Sequence, residues 1–461
     1  MSASTKNIAE LENAPILKLL VRYSLPAIAG VVVYSLYNLI DSVFIGRGVG
    51  PDALNGLGVA FPVMMLVFAL GTLVGLGGAS VSSILLGKKD IDSARRTVCS
   101  VASLSIISAI ILIIPVLIFL EEILIAFGAN ETILPYAYDF MFVTLLGIPV
   151  TYLFFNLNHV MRATGFPHKA MMSTVISAGI NLALAPLFIF GFDWGITGAA
   201  LATVIAQVIG LVRVLLHFSN KSYLVHFQQG LWGLRKRIIS GIFSIGMAPC
   251  LVNACGCLVT VFINRELAAT GDEFALGAFG TINRVLITFA MLVVGLTQGM
   301  QPIIGYNHGA LKPQRVLQTL KFGIIGGSFL TTLGFLACMI FPRTISECFT
   351  ENTNFVNTTV DGLRYACLVF PIVGGQIVIG NFFQAIGKAR LSIFISLTRQ
   401  MIFLLPCVLI LPQFLGLTGV WISMPISDLA SCLVSIFFIK KFLHYYRLKH
   451  RHYFSHSLRS A

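Results

Sequence analysis

The sequence predicts an all-α membrane protein of twelve transmembrane helices in two pseudo-symmetric six-helix bundles. Three observations lead there: an apolar, charge-poor composition, twelve long apolar runs, and a series of motifs that recurs at a constant spacing. Of the 461 residues, 57% are apolar and 11% charged, and the mean hydropathy is +0.89. Soluble chains average about 45–50% apolar and about 25% charged, so no soluble fold could keep this much apolar surface from water.

The apolar runs extend roughly from Ile16 to Ile40, Leu54 to Ser80, Thr97 to Phe119, Ile133 to Leu157, Ala170 to Phe190 and Ile196 to Leu216. After a polar stretch come Ile238 to Ile263, Phe274 to Ile304, Thr319 to Phe341, Gly362 to Phe383, Leu391 to Leu411 and Leu417 to Ile439. Each is long enough to cross a hydrocarbon core of about 30 Å as a helix. Pro26, Pro62, Pro149, Pro302 and Pro371 and the Gly75–Gly78 cluster fall inside runs. Membrane helices use such residues for bends and close crossings. Met1 to Asn13 is polar, and the run that follows exceeds the 7–15 residues of a signal core. It is expected to be an uncleaved first span.

The second half repeats the first. Leu25-Pro26 recurs near Ala248-Pro249, Pro149 at Pro371, Ala163-Thr164-Gly165 at Ala385-Ile386-Gly387, and Gly195-Ile196-Thr197-Gly198 at Gly416-Leu417-Thr418-Gly419, always about 222 residues on. Six spans per half is an even number, so the halves share one orientation and form parallel repeats. The domains expected are an N-terminal bundle over 1–216, a basic linker over 217–237, a C-terminal bundle over 238–441 and a basic tail over 442–461.

A net charge of +13 would suggest nucleic acid in a soluble chain, but here its distribution describes topology. Lys88, Lys89, Arg95 and Arg96, Arg162 and Lys169, Lys221 and Arg235–Arg237, Lys312 and Arg315, Lys388 and Arg390, and the tail with Lys440, Lys441, Arg447, Arg451 and Arg459 all fall on one side. The other side carries Arg47, Arg265 and Arg343 with most of the acidic loop residues, among them Glu121, Glu122, Asp272, Glu273, Glu347 and Glu351. The positive-inside rule then puts both termini in the cytoplasm. The nine Cys lack zinc-ligand spacing, no Walker loop is present, and no intramembrane catalytic cluster stands out. No cofactor, metal or nucleic-acid partner is expected. The bilayer is the expected partner, and the chain is expected to be a monomer.

Ionisable residues inside spans are expensive and usually face a cavity. Asp41, at the end of the first run, is the foremost candidate, because a carboxyl in an apolar surround can stay neutral and load or release a proton, or hold sodium as a hard oxygen ligand. The bland alternative is a helix-end residue facing water. Tyr37, Arg284, Gln298, Gln301 and Gln376 are candidates to line a substrate cavity. Arg399 and Asp428 are better read as structural or secondary polar residues that pair with each other or with a neighbouring helix.

Three segments carry a family resemblance: Asn38-Leu39-Ile40-Asp41-Ser42-Val43-Phe44-Ile45-Gly46, the stretch from Asn181 through Pro186 to Gly191, and Gly299-Met300-Gln301-Pro302 through Ala310. On the duplicated twelve-span frame, from about Leu17 to Lys441, the chain resembles the multidrug and toxic compound extrusion (MATE) transporters, DinF-like branch. The resemblance implies two bundles in a V that alternate between inward and outward openings, and export of amphiphilic, often cationic, compounds driven by proton or sodium entry. It also implies that Asn181 and Thr203 surround the carboxylate of Asp41. Many relatives carry a second Asp where this chain has Ala185. A lipid-linked oligosaccharide flippase of the same superfamily is the competing expectation, although such proteins often have fourteen spans and a strongly basic cavity.

Overall fold

A computed structural model describes residues 3–270, 274–350 and 352–449. Asp272, Glu273, Glu351 and the tail beyond 449, with Arg451 and Arg459, lie outside the described residues. All regular structure among the described residues is helical. In chain order the helices are α1 (Ala3–Asn13), α2 (Ile16–Gly48), α3 (Pro51–Gly87), α4 (Ile91–Ile118), α5 (Leu120–Ala126), α6 (Leu134–Leu146), α7 (Ile148–Ala163), α8 (Pro167–Pro186) and α9 (Gly195–Ser219). They continue with α10 (Lys236–Thr270), α11 (Ala275–Gly309), α12 (Pro313–Ile340), α13 (Pro342–Glu347), α14 (Thr353–Cys367), α15 (Phe370–Ala385), α16 (Ala389–Leu397), α17 (Leu405–Leu415) and α18 (Leu417–Lys449). Ten helical stretches are long and apolar enough to cross a membrane, and two bent pairs bring the spans to as many as twelve.

The two bent pairs were single apolar runs in the sequence. Helix α6 meets α7 at 55°, and α14 meets α15 at 53°. The breaks fall just before Pro149 and Pro371, which lack the N–H that would continue the ladder. These prolines are equivalent in the repeat, so the bend is a duplicated feature. Pro186 leads into a π-helical stretch, Leu187–Gly191, and a second, Thr398–Leu404, joins α16 to α17. The helices also outrun the apolar runs. Helix α2 continues eight residues beyond Ile40, to Gly48, because hydropathy falls at the first polar residues while the backbone ladder runs on to the turn at Gly50, whose φ is 119°.

The chain forms two compact units, one of residues Met1–Pro15 and Leu25–Cys250, the other of Ile16–Ser24 and Leu251–Ala461. In the first, α3 lies against α4, α6 and α7, α4 also meets α7, and α9 lies against α6, α7 and α8. In the second, α11 lies against α12, α14 and α15, α12 also meets α15, and α18 lies against α14 and α15. The neighbour relations of the first unit therefore recur in the second, as the repeat requires. Each unit has its own apolar core, around Val63, Leu124, Met141 and Leu145 in the first and around Ile263, Phe279, Leu363 and Trp421 in the second.

The stretch 217–237 is fastened to the first unit. Arg95 donates from Nε to the Leu224 carbonyl (2.9 Å) and from Nη1 to Gln228 Oε1 (3.1 Å). The Tyr223 ring stacks on His217 at 4.4 Å, and Lys169 hydrogen-bonds the Tyr223 hydroxyl.

Small residues set the closest crossings. A Cβ on Gly246 of α10 would stand 1.8 Å from the Leu73 carbonyl oxygen, and one on Gly77 of α3 would stand 2.0 Å from the Ile242 oxygen. In the second unit a Cβ on Gly374 of α15 would come within 2.1 Å of the Gly327 oxygen. Backbones approach so nearly only without side chains between them, which is how small residues serve helix association in lipid. Gly246→Val or Gly374→Val is expected to cost at least about 1–3 kcal/mol, the usual overpacking cost. Fluorescence-detected size-exclusion chromatography of detergent extracts should show loss of the monodisperse peak, with Gly280→Val, where an added Cβ meets nothing within 4 Å, as the tolerant control.

Candidate ion-coupling site in the first unit

Helix α2 carries Asp41 well inside its length rather than at its end. Its side chain is half-buried, and Oδ1 is fully buried without a hydrogen-bond partner. One turn further on, Phe44 meets the small cluster of Ala185, Phe188 and Ala202, contributed by α8, the π-helical stretch and α9. The Phe44 ring also meets Phe190 edge-on at 6.4 Å. Asn181 lies one turn before Ala185, and Thr203 follows Ala202. Because α2 and α8 share one direction along the sequence's span order, Asp41 and Asn181 both sit one turn to the same side of this contact.

Asn181, 2% exposed, donates from Nδ2 to Thr203 Oγ1 at 2.9 Å. The Thr203 hydroxyl in turn donates to the Ala199 carbonyl at 3.2 Å. This short chain fixes the amide: its NH₂ is engaged by Thr203, and Oδ1 is left buried with no donor. Two acceptor oxygens, Asp41 Oδ1 and Asn181 Oδ1, are thus enclosed on neighbouring helices with nothing to satisfy them, a state that most buried polar atoms avoid. Asn181 and Thr203 touch each other, whereas Asp41 makes no hydrogen bond to either among the described contacts. Ala185 is fully buried, so the position where many relatives hold a second acid is filled by apolar contact.

Tyr37, one turn before Asp41, is 7% exposed. Its ring meets Tyr34 edge-on at 5.1 Å, Tyr34 meets Phe155 at 5.4 Å, and Phe155 meets Phe68 at 6.0 Å. This aromatic row links α2, α7 and α3. Beside it a small cleft is bordered by Thr72, Thr151, Tyr152 and Asn156. Thr151 hydrogen-bonds Gln207, the Tyr152 hydroxyl donates to the Val67 carbonyl at 2.5 Å, and Asn156 donates to Ser105 at 2.8 Å. Sequence reasoning missed this polar stripe. Its signature was present, since Thr151 and Phe155, and Tyr152 and Asn156, are four apart and share a helix face.

The second unit holds the remaining candidates. Arg284 is exposed and Gln298 half-buried. Gln301 is 9% and Gln376 5% exposed, and Gln376 Oε1 is buried without a partner. The structure does not gather these four into one cluster. Arg399, on the π-helical stretch, donates from Nε to Asp428 Oδ1 at 2.5 Å, and Asp428 is 3% exposed. No group of three or more His, Cys, Asp or Glu that could hold a metal ion occurs among the described residues.

A duplicated all-helical frame whose spans enclose isolated polar groups defines a multi-pass membrane transporter fold. The chain belongs to the MatE family, whose model matches residues 26–187 and 245–409, one segment in each half. It is similar to the multidrug export protein MepA of Staphylococcus aureus (strain MSSA476), 28% identical over 436 residues that cover 93% of this chain and 94% of that one. MepA of Staphylococcus haemolyticus (strain JCSC1435) is 26% identical over 429 residues, with the same coverage. Among solved structures, a MATE in the bent conformation superposes with a TM-score of 0.91 at 22% identity, covering 97% of this chain and 99% of that one. An outward-facing multidrug resistance MATE family transporter of the MOP superfamily superposes with a TM-score of 0.89 at 23% identity, covering 97% and 98%. The fold is therefore the MATE-type fold.

The ion pair yields a prediction. Removing Arg399 alone strands a buried carboxylate, at a cost of about 3 kcal/mol, while replacing both members with apolar residues restores most of that loss. Thermal unfolding in detergent should place Arg399→Met well below the parent chain and the Arg399→Met/Asp428→Leu double variant close to it.

Proposed function

We propose that this chain is a cation-coupled antiporter that exports amphiphilic, often cationic compounds from the bacterial cytoplasm by alternating access, with Asp41 as its coupling carboxylate. The observation that carries this is the pair of enclosed, unsatisfied acceptors, Asp41 Oδ1 and Asn181 Oδ1. An acceptor without a donor in an apolar surround is costly, and an arriving proton or cation relieves that cost. Thr203 keeps the Asn181 carbonyl oxygen as the presented atom. Protonated, Asp41 is neutral and gains an O–H for which the Asn181 oxygen is the proposed acceptor; deprotonated, it carries a charge that wetting of the site stabilises. This makes Asp41 a two-state element that ion gradients bias.

A proton is favoured over sodium as the coupled ion. Proton transfer needs one carboxyl, whereas a cation cage needs several oxygens, and Ala185 removes a second acid from the site. The kinship with proteins named for multidrug export supports amphiphilic drugs as the substrate class. The duplicated halves support alternating access, as in other repeat-built transporters. A flippase for pyrophosphate-linked sugars calls for many embedded cations, and this chain has few. Both termini are assigned to the cytoplasm on the charge distribution, and the working unit is assigned as a monomer.

In an efflux-deficient strain, Asp41→Asn should abolish gradient-driven drug export at unchanged membrane abundance. Full export by that variant would remove Asp41 from the mechanism. Asn181→Leu should lower coupling by about tenfold, with Thr203→Ser retaining most activity, measured as proton-gradient-driven uptake in inverted vesicles; the loss of the acceptor for a buried, protonated carboxyl, about 1–3 kcal/mol, sets that scale. For topology, an impermeant thiol reagent on whole cells should label Cys348, the one exposed native cysteine, and leave a cysteine introduced at Lys236 untouched. The opposite labelling pattern would invert the assigned orientation.

A further inference from the structure

One face of the second unit carries a groove that transport does not explain. It runs along one helical stretch, α16 and its π-helical continuation, and is bordered by Arg390, Ile393, Phe394, Leu397, Met401 and Ile402. These positions form one stripe at helical spacing. The opposite face of the stretch is held inward, with Ser392 donating to the Gly380 carbonyl (3.0 Å) and Arg399 to Asp428. A π-helical stretch adds a residue per turn and widens the helix locally, which spreads Leu397, Met401 and Ile402 into a trough rather than a ridge. The trough's volume is about 370 Å³ and its wall is almost wholly apolar.

The charged end of the trough is well defined. Phe394 of α16 meets Phe438 of α18 at 5.3 Å, and the two helices run in opposite directions along the chain. Arg390 lies one turn before Phe394, and Lys441 lies one turn after Phe438. Both cations therefore stand on the same side of this aromatic contact, at the end of the groove. Arg390, Lys388 and Lys441 are exposed, and no salt bridge engages them among the described residues. From Arg390 to Ile402 a helix rises by about 18 Å, slightly more than half of a hydrocarbon core of about 30 Å. One end of the groove is thus at headgroup level on the basic side of the membrane, and the other is near the midplane.

We infer that this groove binds one anionic glycerophospholipid of the leaflet on the basic side, its phosphate on Arg390 and Lys441 and an acyl chain along Leu397, Met401 and Ile402. A trough open to hydrocarbon and capped by two unpaired cations matches the shape and charge of such a lipid, whereas a zwitterionic headgroup would gain less from the same pair. Bound there, the lipid lies against the face opposite the Arg399–Asp428 pair and buttresses the π-helical stretch. The site is independent of the coupling chemistry proposed for Asp41.

The test is native mass spectrometry of the full chain in detergent, titrated with dioleoyl phosphatidylglycerol, with dioleoyl phosphatidylcholine and inorganic phosphate as controls. One phosphatidylglycerol should be retained in preference to phosphatidylcholine. Each cation removed, as Arg390→Gln or Lys441→Gln, should weaken phosphatidylglycerol binding by about fivefold, and these exposed positions leave folding intact. Leu397→Trp, which fills the trough, should weaken both lipids alike. Unchanged phosphatidylglycerol affinity in the Arg390→Gln/Lys441→Gln variant would overturn the proposal. Equal retention of the two lipids, or displacement of the lipid by millimolar phosphate, would overturn it as well.

Discussion

Hydrocarbon offers no hydrogen-bond partner, so every polar group that enters the bilayer must find one inside the protein. That constraint explains why the described secondary structure is helical throughout, since helices satisfy their own backbone along their length. It also explains how side-chain hydroxyls are disposed. Ser105 donates to Val101, Thr144 to Phe140, Thr331 to Gly327, Ser423 to Gly419 and Ser435 to Ser431, each to a carbonyl of its own helix one turn back. Where proline removes a backbone donor, the helix bends or widens, as at Pro149, Pro371 and Pro186. An acceptor left unsatisfied in such a setting is unusual, and this is why Asp41 and Asn181 draw attention more than the many hydroxyls around them.

The two halves keep one frame and carry different chemistry. Counted from the shared proline of the first helix in each half, Asp41 corresponds to Asn264. Counted from Gly165 and Gly387, Asn181 corresponds to Phe403, and counted from Gly195 and Gly416, Thr203 corresponds to Met424, so the second half has no copy of the first half's polar set. In the reverse direction, Asp428 corresponds to Gln207, a neutral side chain that hydrogen-bonds Thr151. The first half thus holds a carboxyl, Asp41, with a buried oxygen that has no partner, and the second holds a carboxyl paired with Arg399. Duplication preserved the bends before Pro149 and Pro371 and the left-handed turns at Gly165 and Gly387 and at Gly195 and Gly416. The polar residues, which the frame does not need, differ between the halves: an unpartnered carboxyl in one and an ion pair in the other.

Much of the fold was legible in the sequence for a physical reason. Crossing a bilayer demands about 20 apolar residues per span, which makes the spans visible without any knowledge of contacts. Duplication is visible because glycine and proline sit at fixed points where no other residue fits. The site was legible only in part. Asp41 stands out because a carboxylate within an apolar run is conspicuous, but Asn181 and Thr203 came from family resemblance, and the row of Tyr37, Tyr34, Phe155 and Phe68 was not foreseen, since many spans carry aromatic residues and their spacing does not say which of them meet.

The sequence alone determined the fold class, the duplicated frame and the presence of an ionisable group in the first helix, because length, hydropathy and recurring breakers are properties of a single strand of residues. Only the tertiary structure decided which way each helix is rotated and what it meets. That rotation joins Asn181 to Thr203 and Arg399 to Asp428, brings Gly246 onto Leu73, and opens a trough beside Leu397. Hydropathy cannot encode it, because a span bordered by lipid on one side and by apolar helices on the other is nearly as apolar on both faces, and only contacts between distant residues distinguish them.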